Sequence, residues 1–149
     1  MTAIFTIGHS NQTAEQFVGL LLQHGVQLLA DVRSSPASRF APQFNRVALA
    51  RSLEQAGIEY LWFGQALGGK PRAPEPVFAA GISDLFQMAQ KKFTAIMCAE
   101  RDPRMCHRTH LVTPALLKNG AMVRHILGDG TLLAHDALQQ PGKQPDLFG

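Results

Sequence analysis

The stretch VQLLADV, residues 26–32, decides the fold, because it is apolar almost without interruption until Asp31 near its end. Such a strand is typical of the centre of a parallel sheet that helices cover on both faces. The segment before it, residues 13–24, has helical periodicity behind a capping-box start at Thr13 and Gln16. A helix followed directly by a buried strand is the repeating unit of an α/β fold.

The same alternation extends in both directions from this stretch. Further strands are predicted at residues 3–7, 58–63, 93–97 and 122–127, and further helices at 45–56, 77–91 and 106–118. Residues 64–76 are predicted to form a loop, which is long enough to be a lid or a binding loop, with an irregular connection as the alternative. We therefore predict a single-domain, three-layer α/β/α protein over residues 1–138, with a mainly parallel sheet of about five strands. Residues 139–149 are predicted to be a flexible tail.

Length, charge and cysteine content restrict the class of protein. A chain of 149 residues can bury a core as one domain without disulfides. Its start lacks a basic region followed by an apolar core, and no window has the about eighteen apolar residues of a membrane span, so we expect a cytoplasmic protein without a membrane partner. Its two cysteines are then expected to be reduced thiols. The net charge of +3 permits an anionic partner without requiring one.

Polar residues cluster where the predicted strands end. Ligands of open parallel sheets bind outside the carboxyl ends of the strands, so these residues are the candidate site. They are His9, Ser10, Asp31, Arg33, Ser34, Ser38, Cys98, Glu100 and Arg101. Asp31 and Arg33 lie two residues apart, so alternation points them to one face, where they form an ion pair or orient a ligand. His125 lies inside the fifth strand and is predicted to be a hydrogen-bonded core histidine.

The loop CAERDPRMCHR, residues 98–108, contains both cysteines. Positive groups or a helix start stabilise a thiolate, so Cys98 and Cys106 are candidate nucleophiles. Arg101, His107 and Arg108 flank them and, with Arg33, are candidate anion-binding residues. The alternative is structural, with Cys98 packed as a small apolar residue and the acids of the loop paired with its arginines.

The order of strand, cysteine, loop and helix resembles rhodanese-like sulfurtransferases and cysteine phosphatases. Cys98 and Arg104 have the Cys-x5-Arg spacing of the phosphatases. The loop departs from their anion cradles at Glu100, Asp102 and Pro103, because two of these residues add negative charge and the proline removes an N–H donor.

Two further hypotheses use the same residues. No cofactor is predicted, but Cys98, Cys106, His107 and His9 are possible metal ligands, although their spacing is not that of a structural zinc site. Alternatively, Glu100 or Asp31 is the working carboxylate with His9 as its acid–base partner, provided that the side chains converge.

Five phrases, in order, resemble the bacterial and archaeal family called domain of unknown function 488, over about residues 4–130. They are TIGHSN (6–11), DVRSSPASR (31–39), GIEYLWFGQALGG (57–69), MCAERDPRMCHR (97–108) and HILGDG (125–130). The resemblance implies that eight residues match family motif positions, namely His9, Asp31, Arg33, Cys98, Glu100, Cys106, His107 and Arg108. It implies no activity, since the function of the family is not established.

The tail ends in QPDLF, residues 144–148. Gln144, Leu147 and Phe148 resemble the clamp-binding peptide of bacterial DNA polymerases and repair proteins, with Pro145 where leucine is usual. The alternative is that Leu147 and Phe148 pack onto their own domain.

The sequence favours an enzyme, a hydrolase or transferase, that acts on nucleic acid or nucleotides in DNA repair or processing and is tethered to the sliding clamp. The main argument for this hypothesis is the tail motif. As a separate expectation, Lys70 and Arg72 lie beside Gly68 and Gly69 and can approach phosphates closely. The alternatives are a thiol-dependent small-molecule transferase or phosphatase, or a binding module without catalysis.

Overall fold

The computed structural model describes residues 2–100 and 102–139 of the chain. These residues form a six-stranded sheet in the order β3-β2-β4-β1-β5-β6. The strands are β1 (Ala3–Gly8), β2 (Leu28–Asp31), β3 (Glu59–Trp62), β4 (Thr94–Cys98), β5 (Met122–Ile126) and β6 (Leu132–Ala134). The first five are parallel, and β6 is antiparallel to β5. The predicted α/β class is confirmed. The sheet has a sixth strand, β6, which the sequence did not predict because its three residues are too few to show alternation.

Helices cover both faces of this sheet. They are α1 (Ala14–Gln23), α2 (Arg46–Gln55), α3 (Gly64–Leu67), α4 (Glu75–Ala89), α5 (Thr113–Lys118) and α6 (His135–Gln139). On one face, Leu29 and Met97 pack with buried residues of α1 and α2. On the other, Ala30 and Ile96 pack with buried residues of α4 and α5. Burial on both faces explains why β2 and β4 are apolar without alternation.

The N-terminus of α1 is capped as the sequence predicts, whereas that of α2 is not capped by a side chain. Thr13 and Gln16 form the predicted capping box at α1, with the Gln16 amide N donating to Thr13 Oγ1 at 3.0 Å and the Thr13 amide N donating to Gln16 Oε1 at 3.1 Å. Asn45 directly precedes α2, a position where asparagine commonly caps a helix, but its side chain makes no cap. Instead, Asn45 Oδ1 accepts from the backbone N–H of Ser38 at 2.6 Å and holds the preceding loop.

Two predicted segments differ from the structure. The region 64–76, predicted as a loop, begins with the short helix α3. The helix predicted over 106–118 instead begins as a π-helical turn, Arg108–Val112, and becomes α-helical at Thr113. Pro114 has no N–H for the ordinary helical bond, and Thr113 directs both its N–H and its hydroxyl to the carbonyl of Arg108. Such turns often occur at functional sites.

No helix within the described part of the chain combines the length and the apolar composition that crossing a membrane requires.

Candidate functional site

The carboxyl ends of three adjacent strands, β2, β4 and β1, meet at one edge of the sheet. Beyond the strands, the His9 N–H still bonds to the Cys98 carbonyl at 2.9 Å, and the Val32 N–H bonds to the Met97 carbonyl at 3.0 Å. A cavity of about 470 Å³ opens at this edge. Its lining includes Arg33, Ser34, Lys70, Cys98, Cys106 and His107. A second cavity, of about 580 Å³, lies between β1, α1 and the turn after β5, and Ser10 lines it.

The two cysteines lie together in the wall of the first cavity. Cys98 is the last residue of β4 and Cys106 follows a short 3-10 turn, and both side chains are buried. The structure joins them as a disulfide, with Cα atoms 7.4 Å apart. The expectation of two reduced thiols stays a prediction, because this Cα separation exceeds the range of about 4.4–6.8 Å that is usual for disulfides. That expectation used only the cellular compartment, whereas the fold of the loop decides that the two sulfur atoms meet.

Arg108 lies beneath the cysteines and is fully buried. Its Nη1 donates to Cys98 Sγ at 2.8 Å and to the carbonyl of Glu100, and its Nε donates to Thr6 Oγ1 at 3.2 Å. Burial lowers the pKa of Arg108 to about 10, against the opposing effect of nearby acids. The guanidinium therefore remains charged at neutral pH.

Arg104, which the phosphatase spacing places at the sulfur, points elsewhere. It forms an ion pair with Asp102 at 3.2 Å. Asp102 thus pairs with an arginine of the loop, as the structural alternative predicted, whereas Glu100 Oε1 accepts from a backbone N–H. The guanidinium at Cys98 belongs to Arg108, ten residues along the chain. The resemblance to a cysteine phosphatase is therefore not supported by the geometry.

His107 presents one ring nitrogen to the cysteines. Its Nε2 lies 2.9 Å from the carbonyl oxygen of Val32. Because a carbonyl only accepts, Nε2 carries the proton and Nδ1 keeps a free lone pair, 3.8 Å from Cys106 Sγ. Burial lowers the pKa of His107, and the charge of Arg108 lowers it further, whereas the bond to Val32 opposes both. The imidazole is therefore neutral at neutral pH.

Asp31 and Arg33 form an ion pair, which is one of the two alternatives that their alternation allowed. The carboxylate is fully buried and accepts from Arg33 Nη2 at 2.7 Å and from the hydroxyl of Tyr60 at 2.6 Å. Burial, followed by the hydrogen bond to Asp31, raises the pKa of Tyr60, so the phenol stays protonated. Most of the guanidinium of Arg33 is thus engaged inside the protein, although Arg33 also lines the cavity.

His9 is oriented by neighbours other than a carboxylate. Its Nδ1 donates to the carbonyl of Ser10 at 2.6 Å, which leaves Nε2 to accept from Arg33 Nη1 at 3.4 Å. Burial lowers the pKa of His9, and the bond to Ser10 opposes this effect only in part. The predicted acid–base pair of His9 with Glu100 or Asp31 is not formed among the described residues. Glu100 Oε1 instead accepts from the Asp102 N–H at 3.2 Å.

The remaining predicted residues divide into three groups. Ser38 Oγ accepts from the Ala41 N–H at 3.0 Å and so stabilises a turn rather than lining the first cavity. Arg72 lies over the ring of Phe78 and pairs with Glu75, outside the first cavity. Arg101, Gln144, Leu147 and Phe148 lie outside the described residues.

Sequence reasoning missed two residues that shape the site, Tyr60 and Thr6, whereas Ser34 was among the residues expected at this edge. Ser34 lines the cavity, and its Oγ accepts from the Lys70 N–H at 2.9 Å. Tyr60 reaches Asp31 from β3, and Thr6 reaches Arg108 from β1. The position of Tyr60 could have been predicted from the sequence, because Tyr60 lies in a predicted strand next to the strand that ends at Asp31. Thr6 had none, since 102 residues separate it from its partner.

His125 is a buried core residue, as predicted. Its side chain has no exposed surface, and its Nδ1 lies 2.6 Å from Thr6 Oγ1.

Comparison with known proteins identifies a family and no further relative. Residues 13–77 and 72–114 match the family described as domain of unknown function DUF488. No curated protein and no solved structure matches the chain.

Proposed function

Since the chain belongs to the family described as domain of unknown function DUF488, we propose its function from its site: a thiol-dependent hydrolase or transferase for a small anionic substrate. The observation that carries the proposal is the 2.8 Å hydrogen bond from Arg108 Nη1 to Cys98 Sγ, in the wall of the first cavity. This favours the thiol-dependent enzyme over the nucleic-acid enzyme that the sequence alone placed first.

The charge of Arg108 is what makes the cysteine chemically distinctive. A guanidinium without solvent contact is stable when acceptors surround it, and an anionic acceptor is the most favourable. Once the disulfide is reduced, the bond from Arg108 favours the thiolate of Cys98 over its thiol. A thiolate is the nucleophilic form of cysteine, so Cys98 is the proposed reactive group.

The cavity supports a small substrate with negative charge. Its volume of about 470 Å³ lies in the range of small-molecule sites. Lys70 lines it with an exposed side chain, whereas Arg33 is largely engaged by Asp31. Lys70 is therefore the proposed contact for the anionic group, with the hydroxyl of Ser34 nearby.

The test is the rate at which iodoacetamide alkylates each reduced cysteine at pH 7. In the Cys106→Ser protein we expect Cys98 to react about tenfold faster than free cysteine, because free cysteine is only a few per cent thiolate at that pH. The Cys98→Ser protein measures Cys106 in the same way. A rate for Cys98 no higher than that of free cysteine would refute the proposal.

Protection by sulfate tests the anion site separately. We expect sulfate to slow alkylation of Cys98, and Lys70→Gln to weaken this protection. Lys91→Gln is the matched control, since Lys91 is exposed at the end of α4 and outside the cavity. Equal protection in both variants would exclude Lys70 as the contact.

A second candidate function is nucleic-acid processing at the sliding clamp, and the observation in its favour is the motif QPDLF at residues 144–148. A flexible tether with two apolar anchors gives a weak contact that raises the local concentration of the domain at DNA. The test is fluorescence anisotropy of a labelled peptide of residues 139–149 with bacterial sliding clamp. A peptide with Leu147→Ala and Phe148→Ala is the control, and no saturable difference between the two would remove this candidate.

A further inference from the structure

We propose that the reduced side chains of Cys98, Cys106 and His107 form a binding site for a soft divalent transition-metal ion, Zn²⁺ in the first place. The ligand atoms are the two Sγ atoms and the ring nitrogen of His107, which all lie within 4.8 Å of one another. Thiolate and imidazole are the donors that Zn²⁺ prefers in proteins.

His107 is held in the way that a metal-binding histidine is usually held. Its Nε2–H donates to the Val32 carbonyl, so Nδ1 is the free donor and the ring orientation is set before any ion arrives. Such a hydrogen bond from the other ring nitrogen is nearly universal among metal-ligating histidines. Gly69 packs against the ring, and a Cβ there would meet His107 Cβ at 3.3 Å.

The backbone separation of the cysteines is compatible with an ion between them. Their Cα atoms are 7.4 Å apart, wider than the usual disulfide range of about 4.4–6.8 Å. Two sulfur atoms on one tetrahedral zinc lie about 3.8 Å apart, given Zn–S bonds of about 2.3 Å. The side chains can reach this separation by rotation while β4 and the 3-10 turn stay in place.

Metal binding requires the reduced state. A dithiol or phosphine reductant transfers two electrons to the disulfide and is itself oxidised. The S–S bond breaks, and each sulfur takes up one proton to become a thiol. The ion then displaces both thiol protons and binds the two thiolates. Their two negative charges neutralise the ion, and the bond from Arg108 to Cys98 Sγ becomes a hydrogen bond to a bound thiolate.

The predicted ligand set therefore changes in one member. His9 was a candidate, but its two ring nitrogens already face the Ser10 carbonyl and Arg33. Three protein ligands leave one position of a tetrahedral ion open, as in catalytic zinc sites. All three ligand residues line the first cavity. Metal binding does not rest on the proposed function, because an ion on both thiolates protects Cys98 from reaction.

The test uses the full chain without an affinity tag, reduced with a phosphine under nitrogen and titrated with Co²⁺. We expect one ion per chain, with a thiolate-to-cobalt charge-transfer band and the visible bands of tetrahedral cobalt, and displacement by Zn²⁺. The charge-transfer intensity should fall by about half in Cys98→Ser and in Cys106→Ser. Binding should weaken at least tenfold in His107→Ala and stay unchanged in His110→Ala, an exposed histidine of the adjoining turn.

Absence of the charge-transfer band in the reduced protein would overturn the proposal, as would equal binding by His107→Ala and the unsubstituted chain. If a variant fails to fold, the test is the alkylation rate of the unsubstituted, reduced protein with and without Zn²⁺. We expect Zn²⁺ to slow alkylation of both cysteines at least tenfold. Fast alkylation of Cys98 without any effect of Zn²⁺ would overturn the metal site and leave the proposed function standing. Cobalt binding together with slow alkylation of Cys98 in the metal-free protein would overturn the proposed function and leave the metal site standing.

Discussion

The neutral form of His125 makes stability depend on pH in a way that can be measured. The ring is fully buried, with Thr6 on Nδ1 and His135 3.1 Å from Nε2. Burial in the first place, followed by the charges of Arg108 and His135, lowers the pKa of His125 from 6.5 to about 3. The unfolded chain therefore binds a proton more readily than the folded chain between these two values.

The sign and size follow from proton linkage. Stability rises with pH wherever the unfolded state binds more protons, so the contribution of His125 is complete above pH 6.5 and is lost progressively as the pH falls towards 3. Between pH 8 and pH 5 this one residue lowers the free energy of unfolding by about 2 kcal/mol. The limiting slope is about 1.4 kcal/mol per pH unit. His9, His107 and His135 also have lowered pKa values and act in the same direction.

The assay compares the unsubstituted protein with His125→Asn, which keeps polar atoms near Thr6 but does not titrate. Urea unfolding at pH 8, 7, 6 and 5 is followed by the fluorescence of Trp62, the single tryptophan, at constant salt and reductant. We expect the variant to be less stable at pH 8 and to lose about 2 kcal/mol less by pH 5. Parallel stability curves for the two proteins would refute the assignment of a buried, neutral His125.

Two further substitutions test the framework of the site. Asp31→Asn leaves the buried guanidinium of Arg33 without its carboxylate, so urea unfolding should show a loss of about 3–5 kcal/mol; a loss below about 1 kcal/mol would contradict the buried pair. Gly64→Ala places a Cβ 1.9 Å from the Arg33 carbonyl oxygen, so the melting temperature should fall by several degrees. Gly19→Ala is its control, because nothing lies within 4 Å of a Cβ at that helical position. Equal melting temperatures for the two glycine variants would contradict the packing.

The arrangement of the main chain was largely readable from the sequence, because it depends on local patterns. The apolar run of residues 26–32 predicted a central strand, and the rule for parallel sheets then brought His9, Arg33 and Cys98 to one edge. Each of these inferences needs only the period of burial along a strand and the direction of its neighbours.

The pairing of side chains was not readable in the same way. Spacing placed Arg104 at the sulfur of Cys98, but the π-helical turn after Cys106 brings Arg108 there instead. Asn45 has the right type and position for a helix cap, yet its oxygen is bonded to Ser38. Local rules give each polar group several possible partners, and only the tertiary distances select one.

The central place of β4 in the sheet has a consequence for biosynthesis. β1 and β2 are not neighbours, and β4 lies between them and pairs with both. During translation, residues 1–93 therefore contain strands for two separate pieces of sheet that nothing yet joins edge to edge. The thiol of Cys98 leaves the ribosome on the same short strand that closes this gap. The edge that carries the candidate site and the continuous sheet thus form together, and a chain interrupted before that strand has neither.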